Sequence, residues 1–228
     1  HLTINSTANL LTVAPLTLPE NSSHISLFST LESKPWSFWL DSCDSSHIDS
    51  RYDIIVWQPE VTLTTYGQQT KIKAINDEYQ SLNATSVEDP LTLLNQTQEK
   101  ILAPFSFSQT SLPFNGGSVG YFAYDLGRRF EKLPNDTIKD IAAPDMAVGI
   151  YTNAVIFDRN TKKISLICPE HKRLELSQQL KTQLASLPNK ANNTSAVSEI
   201  SARFALTTPW HANMDKQSYH EKFSQVQD

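Results

Sequence analysis

The sequence predicts an α+β fold: mainly antiparallel β-sheets, sandwich-like, with helices packed outside. Strand-like runs follow one another without regular alternation with helices, which argues against a parallel sheet built from βαβ units. Three consecutive runs, 52–57, 60–67 and 70–75, alternate apolar and polar residues, with Gly67 between the last two, as an antiparallel meander does. The 228 residues, 39% hydrophobic and 19% charged, are enough to bury a sizeable core.

Taken in order, residues 10–18 read as an edge strand broken by Pro15. Ile25, Phe28 and Leu31 recur at helical spacing within 19–33, and Lys34 and Pro35 end that helix. The aromatic run 36–42 reads as a buried strand, and a polar loop leads from it into the meander. Asp89 and Pro90 supply an N-cap and a first helical position for a helix reaching Leu102. A loop over 103–115 carries Pro104 and Pro113, and 116–126 reads as a strand entered through the glycine pair Gly116 and Gly117. Residues 145–159 read as one long strand, with 162–168 as its hairpin partner through 159–161. Leu174, Leu180, Leu184 and Leu187 mark a surface helix over 170–187. The stretch 187–199 is polar and aperiodic like a linker, and 203–207 reads as a short strand. Tyr219, Phe223 and Val226 then form the apolar stripe of a helix over 213–228. That stripe meets no stop signal before Asp228, and the chain begins at His1 without Met, so a piece of a longer protein is expected.

Composition narrows the function. No apolar run approaches the roughly 20 residues of a membrane span. A net charge of −5, from 19 basic and 24 acidic residues without a basic cluster, gives no footprint for nucleic acid. Cys43 and Cys168 are too few and too distant for a disulfide framework or a zinc site, and they suit a reducing compartment. The six histidines form no ligand pair, and no phosphate-binding glycine loop occurs. Seven glycosylation sequons, at Asn5, Asn21, Asn83, Asn95, Asn135, Asn192 and Asn193, suggest a secreted glycoprotein, but no signal peptide precedes them.

Three segments carry candidate chemistry. Gly116-Gly117-Ser118-Val119-Gly120 matches the nucleophile elbow of a serine hydrolase, with Asp145 and His171 following in the right order. That motif requires a strand, a sharp turn and a helix, whereas Ser118 is predicted to enter a strand, where glycines permit close backbone packing. In the second segment, Leu40-Asp41-Ser42 ends one strand and Asp49-Ser50-Arg51-Tyr52-Asp53 begins the next. Hydroxyls, a guanidinium, carboxylates and a ring at adjacent strand ends could hold a zwitterionic amino acid. The plainer reading is a solvated hairpin loop with Arg51 paired to Asp49 or Asp53. In the third segment, 124–131, Arg128 and Glu131 are spaced for an ion pair on one helical turn.

At these segments the chain resembles the amino-terminal domain of aminodeoxychorismate synthase component I, a relative of anthranilate synthase component I. The resemblance rests on residues 34–42, 50–67, 112–134, 144–159 and 218–228, most specifically on Pro113–Pro134 with its Asp-Leu-Gly-Arg-Arg-Phe-Glu run. Two neighbours depart from the Leu-Glu-Ser and Arg-Tyr-Ser pattern of anthranilate synthases: Asp41 and Asp53. The resemblance implies a regulatory and scaffolding domain over 1–210, with 211–228 as the first helix of a chorismate-binding catalytic domain. It implies a tryptophan pocket in which Ser42, Ser50, Arg51 and Tyr52 match, with Asp49 in the same loop. It further implies a cytoplasmic enzyme of folate synthesis that replaces the chorismate 4-hydroxyl with ammonia from a glutamine amidotransferase subunit. Mg²⁺ and a nucleophilic lysine would serve that reaction from residues outside this chain, leaving the chain without catalytic residues of its own.

Overall fold

The computed structural model describes residues 9–20, 22–43, 47, 49–132, 142–187 and 206–227. These fall into two compact units divided after Leu187. In the first unit the strands are β1 (Leu10–Pro15), β2 (Phe38–Leu40), β3 (Tyr52–Val56), β4 (Val61–Tyr66), β5 (Gln69–Ala74), β6 (Ala84–Ser86), β7 (Ser106–Phe107), β8 (Gly117–Phe122), β9 (Met146–Tyr151), β10 (Ala154–Asp158) and β11 (Lys163–Pro169). Its α-helices are α1 (His24–Leu31), α2 (Pro90–Leu102) and α3 (Arg173–Ala185). The second unit contains α4 (Lys216–Gln227), along which Tyr219 and Phe223 stack at 6.3 Å.

Two sheets form, one ordered β2-β3-β10-β11-β1-β7 and the other β6-β5-β4-β9-β8. Every pairing is antiparallel except β1 with β7, so the α+β expectation of mainly antiparallel sheets with helices holds. The two-residue period of a strand divides the core. In the first sheet Ile55, Val155 and Leu166 face Leu27 and Leu31 of α1 and Leu180 and Leu184 of α3. Their chain neighbours Val56, Ala154, Ile156 and Ile167 share another cluster with Val119 and Tyr151 of the second sheet. On the second sheet, Val61, Leu63, Met146, Val148 and Ile150 meet Leu93, Leu94 and Ile101 of α2.

Local signals explain the helix starts. Asp89 accepts the Thr92 N–H at 2.7 Å and Pro90 occupies the first turn of α2. Ser23 accepts the Ser26 N–H at the start of α1. The β4–β5 hairpin turns at Gly67, whose φ of +53° is open to glycine.

Five sequence expectations are corrected. The runs 52–57, 60–67 and 70–75 are not one meander: only β4 and β5 form a hairpin, while β3 pairs with β2 and β10 in the other sheet, the chain changing sheets past Gln58, whose φ is +46°. Residues 145–159 are two strands in different sheets: the Asn153 amide donates to Trp57 O at 2.9 Å and Thr152 Oγ1 donates to buried Glu60, so the chain crosses over at 152–153. The strand begun at Gly117 stops at Phe122, and Tyr124–Arg129 is a 3₁₀ turn. β1 is not an edge, because β7 pairs with Leu10 and Leu11. Arg128 pairs with Asp125 at 2.7 Å, three residues before it, rather than with Glu131. The linker at 187–199 and most of the strand at 203–207 lie outside the described residues.

Candidate functional site

The β2–β3–β10 end of the first sheet gathers the charged side chains that the sequence scatters. Register sets Tyr52 opposite Asp158 and Asp53 opposite Phe157, while Leu40, the last residue of β2, pairs with Ile54. Asp41 and Ser42, Arg51 to Asp53, and Asp158 and Arg159 therefore arrive at one rim.

Arg51 donates from Nε and Nη2 to the two oxygens of Asp158, at 3.1 and 2.7 Å, and its guanidinium lies 4.7 Å from the centre of the Tyr52 ring. Asp158 also accepts the N–H groups of Asn160 and Thr161, closing the β10–β11 turn. Arg51 above all, helped by these N–H groups, holds the Asp158 carboxyl well below the usual carboxylate range. Arg159 reaches the neighbouring carboxylates, with Nη2 2.9 Å from Asp41 Oδ1 and 2.9 Å from Asp53 Oδ2. Asp53 is 1% exposed and also accepts the Ser42 N–H at 2.9 Å, while the Ser42 hydroxyl donates to Tyr52 O.

The structure thus brings Ser42, Arg51 and Tyr52 together and aims Asp49 elsewhere. The Asp49 carboxylate is exposed, 3.5 Å from His47 Nδ1, and the Ser50 N–H donates to His47 O at 3.0 Å. The expected pairing of Arg51 with Asp49 or Asp53 is replaced by Asp158, 107 positions away, because the register of β3 on β10 makes it the nearer carboxylate. Sequence reasoning missed Asp158, Arg159, Phe157 and His24. The available signal was Asp158-Arg159-Asn160 at a hairpin turn, which can be assigned to this rim only once strand pairing is known.

The hydrolase motif is not assembled. Ser118 lies within β8 opposite Ile150, and its hydroxyl donates to Gln98 Oε1 at 2.6 Å. Asp145 precedes Met146, which pairs with Phe122 at the far end of β8, so it stands roughly 16 Å along the strand from Ser118. Its carboxylate accepts the Gly67 N–H at 2.6 Å. Gly120 explains the glycine pattern, because a Cβ there would lie 2.1 Å from Ala147 O. Two sequons fall on described, structurally committed residues: Asn83 Oδ1 accepts the Ala74 N–H, and Thr97, the hydroxyl residue of the Asn95 sequon, is buried and donates to Leu93 O. The asparagines of the other sequons, Asn5, Asn21, Asn135, Asn192 and Asn193, lie outside the described residues.

No described helix is long and apolar enough to cross a membrane. Among the described residues no group of three or more His, Cys, Asp or Glu side chains is placed to hold a metal ion.

Comparison with known proteins gives a consistent set of matches. The family model for chorismate binding enzymes matches residues 36–228. Aminodeoxychorismate synthase component 1 of Klebsiella aerogenes is 41% identical over 201 residues, covering 88% of this chain and 40% of that protein. The protein of the same name from Escherichia coli K12 is 36% identical over the same shares. Anthranilate synthase component 1 of Acetivibrio thermocellus is 28% identical over 167 residues, 72% of this chain and 32% of that protein. Among solved structures, anthranilate synthase component I from Streptococcus pneumoniae aligns with a TM-score of 0.48 and 17% identity, over 93% of this chain and 44% of that one. The chain spans about 40% of the length of the aminodeoxychorismate synthases it matches.

Proposed function

The chain belongs to the chorismate binding enzymes, and from that premise we propose that it is the amino-terminal, non-catalytic part of an aminodeoxychorismate synthase component I. The parent enzyme would convert chorismate and ammonia, delivered by a glutamine amidotransferase subunit, into 4-amino-4-deoxychorismate for folate synthesis in the cytoplasm. The observation that carries this reading is identity of 41% and 36% to two synthases of that name over 88% of the chain, against 28% to an anthranilate synthase over a shorter stretch. On this reading the fold is the amino-terminal part of an anthranilate synthase component I-like fold, and α4 is the first helix of the catalytic domain. Mg²⁺ would hold the substrate carboxylate from residues outside this chain. The chain's own part is to present the rim of Ser42, Arg51 and Tyr52.

That reading is tested by supplying the 228-residue chain with chorismate, ammonia and Mg²⁺ and following the products by chromatography. No aminated product is expected; turnover above the buffer rate would overturn the non-catalytic assignment.

The same rim is the proposed seat of L-tryptophan, with Asp49 and Ser50 in the preceding turn. A guanidinium carries five N–H donors, and Asp158 takes up those of the Nε and Nη2 edge, which leaves others for a ligand carboxylate. The Tyr52 ring supplies an apolar surface beside it. Calorimetric titration with L-tryptophan should give saturable heat that Arg51→Ala abolishes. Heat no greater than dilution would remove tryptophan from this site.

A further inference from the structure

His24, the first residue of α1, touches all three strands of the rim. Its imidazole lies flat on Phe157 of β10, with ring centroids 4.0 Å apart and planes at 10°. Its Nε2 is 3.2 Å from Asp53 Oδ2 on β3, and Trp39 of β2 meets it edge-on at 6.1 Å and 80°. The side chain is 15% exposed.

The charges around this imidazole balance only in one protonation state. Facing it are Asp53 from β3, Asp41 after β2, and Arg159 and Lys162 from the β10–β11 turn. No other residue of α1 is ionisable. Two carboxylates and two cations sum to zero while His24 is neutral, and protonation leaves an excess positive charge in a poorly hydrated place. The Lys162 ammonium already lies 5.8 Å from the centre of the Phe157 ring, so a charged His24 would be a second cation on one ring. Burial is the largest influence on the imidazole and pushes its proton affinity down. Asp53 and Asp41 oppose it, Arg159 and Lys162 add to it, and the group ends below its ordinary value.

The remainder of α1 is held by other means. Leu27 and Leu31 are buried against the first sheet and α3, and Ser23 fixes the shape of the first turn. A change at His24 therefore acts on the amino-terminal turn and leaves the helix body docked.

We propose that His24 is a proton-operated latch. Neutral, it pins the first turn of α1 over the β2–β3–β10 rim; protonated in mild acid, it lets that turn lift and uncovers Phe157 and the edge of Trp39 that His24 covers, while Phe28 stays against the rest of the indole. This assignment needs no bound ligand and stands apart from the tryptophan reading. The sign is fixed by linkage: the unfolded chain takes up the histidine proton near pH 6.5 and the docked state only below that. Docking is complete above about pH 6.5 and weakens as pH falls through the folded value.

The experiment is a pH titration of the 228-residue chain from 8 to 5, following tryptophan emission together with the His24 ring proton by NMR. The expected results are a red shift of emission and a His24 midpoint below 6.5. Trp39→Phe should remove the shift, as should His24→Phe, which keeps the stack without the titration, and His24→Gln. A His24 midpoint at or above 6.5, no emission shift in the unsubstituted chain, or an unchanged shift in folded His24→Phe would each overturn the latch. The NMR midpoint decides the matter even where a variant does not fold.

Discussion

The rim of the first sheet and the middle of the second are held in opposite ways. At the rim, Arg51, Arg159, Asp41, Asp53 and Asp158 lock three strand ends by charge-assisted hydrogen bonds. In the second sheet, backbone approaches backbone so closely at Gly120 that no side chain fits, and the Tyr151 ring fills the space that a Cβ on Gly149 would need. Tyr151 is fully buried and donates to Trp36 O at 2.7 Å, tying β9 to a residue whose φ of +59° is costly for tryptophan. Close packing tolerates no added atom, whereas a charge cluster at a strand end can exchange partners. A binding or regulatory role is easier to build on the second kind of join.

The largest effect is expected where packing is tightest. Gly120→Ala would set a Cβ 2.1 Å from Ala147 O and 2.6 Å from Val148 Cα, both backbone atoms, so the β8–β9 pairing must open. A loss of about 3 kcal/mol or more is expected, read as a fall in the urea midpoint. A midpoint within experimental error of the parent would show that the second sheet yields as readily as the rim.

Arg159→Ala comes next. Asp53 is 1% exposed, and without Arg159 its carboxylate is left beside a neutral His24 imidazole and the Ser42 N–H, a cost of about 3 kcal/mol for an uncompensated buried charge. The same substitution should raise the His24 midpoint, because one opposing cation is removed while the carboxylate stays. Tyr151→Phe should cost about 1–2 kcal/mol, since Trp36 O loses its donor while the ring still fills the space beside Gly149. If Tyr151→Phe proved costlier than Arg159→Ala, the rim would be the weaker join even against one lost hydroxyl.

Much of this division could be read from the sequence, for definite physical reasons. The β4–β5 hairpin and the α2 cap follow from alternation around Gly67 and from Asp89-Pro90, which act within a few residues, whereas nothing local shows that the 52–57 strand joins a different sheet from its two successors. The crossover at Thr152 and Asn153 is a polar pair too short to break a run whose two flanks both read as strand, and only Glu60 and Trp57, some ninety positions earlier, show that the chain leaves one sheet for the other there. Ser42, Arg51 and Tyr52 could be chosen from side-chain chemistry and resemblance. Their partners Asp158, Arg159 and His24 depend on register, which no local pattern specifies. The ion pair expected between Arg128 and Glu131 failed for a smaller reason: Asp125 and Glu131 are both three residues from Arg128, and the 3₁₀ turn over Tyr124–Arg129 favours the first.

Arg51→Ala should have the smallest effect on stability and is the sharpest probe of the rim. The Arg51 side chain is 41% exposed, so solvent already weakens what its charge contributes to folding. Its influence on Asp158 is direct. That carboxyl titrates well below its ordinary range in the folded chain, chiefly through Arg51 and secondarily through the N–H groups of Asn160 and Thr161. The stabilisation linked to it is therefore full above about pH 4, where an unfolded aspartate is ionised, and fades as pH falls toward the folded value. In Arg51→Ala the Asp158 midpoint, followed by its side-chain carbon resonance, should rise toward the ordinary value but stop short of it, because the two backbone donors remain. The stability difference between parent and variant should also narrow from pH 5 to pH 3. An unmoved midpoint would mean that the β10–β11 turn alone holds Asp158, leaving Arg51 uncommitted at the rim and closer to the free guanidinium that an amino-acid ligand would meet.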